Sequence, residues 1–111
     1  MKKTANLRPE KVFSFFGELC AIPHGSGNME KIADYCVEFA KNRGLRFVRD
    51  AANNVIIYKS GTTGYEKSEP VILQGHLDMV CQKTAERKID FLTDPIEIFK
   101  EKRYNNMIKI N

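Results

Sequence analysis

The stretch VILQGHLDMV, residues 71–80, decides how this chain is read. An unbroken apolar run, Val71 to Leu73, gives way to Gly75 and then to His76 and Asp78, two residues apart. Continuous hydrophobicity of this kind predicts a strand covered on both faces. Where such a strand ends, side chains emerge at the rim of a sheet, a common place for functional residues in α/β enzymes. If the extended conformation persists to Asp78, the two-residue period puts His76 and Asp78 on one face. Imidazole is the commonest protein ligand for zinc, and a neighbouring carboxylate orients the ring through its other nitrogen. His76 is therefore the candidate metal ligand and Asp78 its candidate orienting group. Gly75 lets backbone or substrate come close beside them.

Upstream of this stretch, Pro9 suits the first position of a helix whose apolar residues Val12, Phe13, Phe16, Leu19 and Cys20 follow a 3.6-residue period. That helix should stop near Ala21, ahead of Pro23. The loop PHGSGN, residues 23–28, offers Ser26 or Asn28 as N-cap of a second helix, with Ile32, Ala33, Cys36, Val37 and Ala40 as its buried stripe and Gly44 as its stop. LRFVRD and VIIYK, joined by Asn53-Asn54, predict a hairpin over residues 45–59. Residues 60–70 read as a polar loop and 81–90 as irregular or weakly helical. IEIF (96–99) and MIKI (107–110) read as strands joined through the solvated turn KEKRYNN (100–106). The fold class expected is α/β, with two amphipathic helices packed on a mixed β-sheet.

The 111 residues fit one domain, and 42% hydrophobic with 29% charged residues is ordinary globular composition. The net charge of +4 is spread among acids, as in Glu10-Lys11, Glu30-Lys31 and Glu86-Arg87-Lys88. Such scatter describes solvated faces and argues against a nucleic-acid partner. No apolar region follows the two N-terminal lysines, and no run reaches membrane-spanning length, so a cytoplasmic protein with no membrane partner is expected. Three widely spaced cysteines, Cys20, Cys36 and Cys81, read as reduced thiols. Their spacing with His24 is not that of a zinc finger, and nothing marks any thiol as an activated nucleophile. His24 is expected to serve a turn or packing role, and Phe13, Phe15 and Phe16 to fill the core.

The longer strings PVILQGHLDMVCQK, AIPHGSGNMEKIADYCVEFAKNRGL, VRDAANNVIIYK and DFLTDPIEIF together resemble the N-terminal part of the aminoacyl-histidine dipeptidases, also called cytosol non-specific dipeptidases. The resemblance runs from about Pro9 to Phe99 and is most specific in LQGHLDMV with the downstream Asp94-Pro95. It implies that the chain is one partial domain, residues 1–111, of a two-zinc peptidase catalytic domain, without the lid domain that serves dimerisation in the family. It further implies that His76 ligates one zinc ion, that Asp78 is the catalytic aspartate, and that the substrates are dipeptides, including those with C-terminal histidine. The family's bridging aspartate, general-base glutamate and remaining ligands lie downstream of the matched region. Neither Glu86 nor Glu97 matches that glutamate. The resemblance thus implies a homodimeric enzyme when complete and no activity from these 111 residues alone. The rival expectation is a catalytically dead binding or interaction module derived from the same fold, whose unpaired terminal strand would favour self-association.

Overall fold

In the computed structural model, residues 6–100 and 108–110 are described. Helix α1 spans Glu10–Cys20 and α2 spans Glu30–Lys41; strands β1 to β4 span Arg46–Arg49, Val55–Tyr58, Ile98–Lys100 and Ile108–Ile110. β1 pairs with β2, and β3 with β4, both antiparallel. Among the described residues, a parallel contact arises at a single bridge, Gly25 with Met79. The α/β class and the two helices are as expected; among the described residues the strands form two separate antiparallel pairs, and the parallel contact is an isolated bridge outside them. The predicted turn over residues 100–106 lies outside the described residues apart from the β3 residue Lys100.

Pro9, with φ of −69°, precedes α1, and Glu10 places an acid in its first turn. Of the expected stripe, Cys20 is buried whereas Val12 remains 59% exposed. Helix α2 buries Ile32, Ala33, Val37 and Ala40 along one stripe and lies on β1 and β2. Phe15 of α1 meets Phe39 of α2 edge-on at 5.6 Å, and Arg43 lies 3.6 Å over the Phe39 ring. Tyr35 donates to Glu18 at 2.7 Å, and burial, reinforced by that acceptor, pushes its hydroxyl up to about 12. Gly44, at φ +62°, reverses the chain after α2, the conformation its position predicted.

The hairpin is in the register Phe47 to Ile57 and Val48 to Ile56. Alternation leaves Phe47, Val55 and Ile57 half-buried while Val48, Ile56 and Tyr58 face outward. Asn53 takes φ +67°, and Asp50 stitches the turn by accepting the Ala52 and Asn54 amides, each at 2.9 Å, and the Asn54 side-chain amide at 2.8 Å. Arg49 ties the hairpin to α2 through Asp34 and grips Asn53 at 2.6 and 3.0 Å.

Two expectations are corrected. Residues 71–78 form no strand, and Val71, Ile72 and Leu73 are 84%, 88% and 94% exposed. Apolar sequence makes a segment suited to a buried strand, but strand pairing and coverage are supplied by neighbours, which the described residues do not provide there. The N-cap of α2 is Met29, with no side-chain cap. Ser26 and Asn28, the expected caps, are committed elsewhere: Ser26 bonds Asp78 and Asn28 donates to the Leu92 carbonyl at 3.2 Å.

Two outcomes follow from this packing. Ile32 is 1% exposed, so Ile32→Ala should cost about 2–5 kcal/mol in urea unfolding. The hydrogen bonds from Asn54, chiefly its side-chain amide, hold the Asp50 carboxyl below its ordinary 3.8. A carboxyl depressed in the folded state contributes stability above its unfolded pKa and loses it as pH falls through the folded value. The protection of the Ala52 and Asn54 amides, measured against intrinsic exchange at each pH, should therefore stay constant above about pH 5 and fall as the solution is acidified below 3.8, a dependence absent in Asp50→Asn.

Candidate functional site

The loop after α1 and the segment 76–81 are joined by backbone. The Ser26 amide donates to the Met79 carbonyl at 3.0 Å, and the Met79 amide donates to the His24 carbonyl at 3.0 Å. Gly25 lies between these bonds, and a Cβ at that position would collide with Cys81 Sγ. Close approach, rather than backbone torsion, is what requires glycine here. His24 is buried and its ring nitrogen Nδ1 donates to the Ile22 carbonyl, which is the packing role its sequence context suggested.

Across this bridge stands a chain of three side chains. The Ser26 hydroxyl donates to Asp78 Oδ2 at 2.6 Å. The opposite oxygen, Oδ1, lies 3.0 Å from His76 Nδ1, and the Asp78 carbonyl lies 2.8 Å from the same nitrogen. The Ser26 hydrogen bond first, and His76 second, hold the Asp78 carboxyl below the usual carboxylate range. It is ionised at neutral pH, so both partners of His76 Nδ1 are pure acceptors. The proton of the neutral imidazole therefore sits on Nδ1, and Nε2 keeps its lone pair. The His76 side chain is 80% exposed, leaving that lone pair open to a ligand.

His76 and Asp78 border a cleft of about 500 Å³ whose walls include Met29, Cys36, Ile57 and Gly75. The structure thus brings the two predicted residues together, although in an irregular segment rather than at a strand end. Burial raises the Cys36 and Cys20 thiols above their ordinary value, so neither is an activated nucleophile. Ser26 is the member that sequence reasoning missed. Its place in PHGSGN resembled a helix cap, and its contact with a residue 52 positions away has no local periodicity to reveal it. The available signal was Gly25 beside it, a residue that permits two backbones to meet.

Zinc in a stable protein site takes about four donors, three of them from protein even where water completes the set. Among the described residues no group of three or more His, Cys, Asp and Glu is gathered for a metal ion. His76 fits as one nitrogen donor with its ring held by a carboxylate; the segment by itself is not a closed zinc site.

No family model matches the chain. It is 41% identical over 97 residues to the cytosol non-specific dipeptidase of Escherichia coli, covering 87% of this chain and 20% of that protein. The crystal structure of aminoacylhistidine dipeptidase from Vibrio alginolyticus superposes with a TM-score of 0.87 at 35% identity, over 97% of this chain and 21% of that one. In sequence and fold this chain resembles the aminoacyl-histidine dipeptidases. The similarity seen in LQGHLDMV extends through nearly all of the chain, while the chain spans about a fifth of the length of these relatives. No helix among the described residues is long and apolar enough to cross a membrane.

The close approach at Gly25 can be checked directly. Gly25→Ala should destabilise the fold by about 1 kcal/mol through overpacking, and Cys81→Ala in the same chain should restore most of that loss in thermal unfolding, because the atom in the way is Sγ.

Proposed function

We propose that these 111 residues are one partial domain of a cytosolic zinc dipeptidase, and that they supply His76 as a metal ligand and Asp78 as the aspartate beside it. The observation that carries the reading is the His76 ring with Nδ1–H held by Asp78 and Nε2 free, within a chain 41% identical to a dipeptidase. The substrates proposed are dipeptides, including those ending in histidine, and the complete enzyme is proposed to hold two zinc ions and to act as a homodimer. No nucleic-acid or membrane partner is part of the proposal.

When bound, zinc lowers the pKa of a coordinated water towards neutrality and stabilises negative charge on a carbonyl oxygen. The contribution of this chain is orientation. Asp78 fixes the tautomer of His76 by accepting from Nδ1, which leaves Nε2 open to a ligand. The general base and the other metal ligands lie outside the segment, so the isolated chain is proposed to be inactive.

A second reading, a binding module without catalysis, is favoured by the single histidine–carboxylate pair in place of a gathered ligand set. One experiment separates the two: replace the matching segment of the E. coli dipeptidase with this chain and assay hydrolysis of an Xaa-His dipeptide. The dipeptidase reading expects zinc-dependent turnover that falls by at least about 100-fold in His76→Ala and by about 10- to 100-fold in Asp78→Ala. A folded, zinc-loaded chimera without turnover would support the module. On the isolated chain, calorimetry should show no tight stoichiometric zinc binding; tight binding abolished by His76→Ala would mean that His76 finds its other ligands within these residues.

A further inference from the structure

We propose that Ser26 is a positioning residue, whose hydroxyl clamps the Asp78 carboxylate and through it holds the His76 ring with Nε2 turned outward. The inference deepens the metal-site reading above and rests on it for its purpose, since an outward Nε2 lone pair serves a ligand.

The geometry gives each carboxylate oxygen its own partner. Oδ2 receives the Ser26 hydroxyl at 2.6 Å, while Oδ1 receives His76 Nδ1 at 3.0 Å. Rotation of the carboxylate about its own bond would break both contacts together. The hydroxyl has a single proton, and its other acceptor, the Met79 carbonyl, is farther away at 3.3 Å. The ionised, nearer oxygen wins that proton because charge-assisted hydrogen bonds are the stronger class.

Packing does not perform this task. The Asp78 side chain is 41% exposed and that of His76 80% exposed, so hydrogen bonds decide their rotamers. Ser26 itself is anchored by backbone: its amide donates to the Met79 carbonyl, and the Met79 amide donates to the His24 carbonyl. These two bonds do not involve the Ser26 side chain and survive its replacement. The serine hydroxyl is therefore carried on a backbone position held by two hydrogen bonds and directed at a part-exposed carboxylate, which is the arrangement of a clamp. With its hydroxyl committed to Asp78, Ser26 does not cap α2, whose N-cap is Met29 with no side-chain hydrogen bond.

The test reads the tautomer of His76 in the metal-free 111-residue chain by long-range proton–nitrogen correlation, about two pH units above the ordinary imidazole range. With only two histidines, a His76→Gln sample assigns the signals. Ser26→Thr and Ser26→Val have nearly the same shape and differ by the hydroxyl, and Ser26 is exposed, so both are accommodated alike. The clamp predicts that Ser26→Thr keeps the Nδ1–H form dominant. Ser26→Val should lower the ratio of Nδ1–H to Nε2–H by about threefold or more, the scale of one hydrogen bond. Equal ratios in the two variants, whether like the parent or reduced together, overturn the proposal. Failure of the dipeptidase reading is seen separately, as absence of zinc-dependent turnover in the chimera, and leaves the tautomer result standing.

Discussion

The bridge between Gly25 and Met79 is the contact on which the arrangement of the two halves depends. The first half is a self-contained unit in which α2 covers the β1–β2 hairpin and α1 leans on α2 through Phe15 and Phe39. Residues 71–97 have no regular strand or helix of their own. They are held where their backbone meets the end of α1 and the loop after it: Met79 with His24 and Ser26, Leu92 with Asn28, and Ile96 with the Cys20 carbonyl at 2.9 Å. Backbone polar groups that are not satisfied by a ladder must find partners elsewhere, and here the loop supplies them.

That dependence gives the loop 23–28 its character. It is short, carries a buried histidine and a glycine with no room for a side chain, and presents one hydroxyl to the site. Structural and chemical roles meet in three successive residues, His24, Gly25 and Ser26. The loop fixes the backbone of residue 79, and residue 78 is thereby brought within hydrogen-bond reach of the serine. The sequence neighbours His76 and Asp78 then complete the chain of contacts from a distance of two residues.

Much of the first half was legible because its interactions are local or periodic. The stripe Ile32, Ala33, Val37 and Ala40, the reversal at Gly44 and the positive φ of Asn53 each follow from a few adjacent residues. The Val71–Leu73 run was misread for a definite reason: hydrophobic composition reports suitability for burial, whereas burial itself requires neighbours, and these side chains are almost fully exposed. The helix caps failed for a related reason. Ser26 and Asn28 have side chains equally able to cap a helix or bond a distant group, and local sequence does not rank those uses.

The pairing of His76 with Asp78 was determined by the sequence, since two residues of separation keep an imidazole and a carboxylate within reach in most extended conformations. The resemblance to dipeptidases was likewise carried by the residues themselves. Which nitrogen of His76 is free is a local matter too, since both acceptors of Nδ1, the carboxylate and the carbonyl, belong to Asp78. Tertiary structure alone brought Ser26 to Asp78 across 52 residues of chain. A hydrogen bond between distant residues is fixed by where the backbone folds back, and no pattern in the order of amino acids near either residue encodes it.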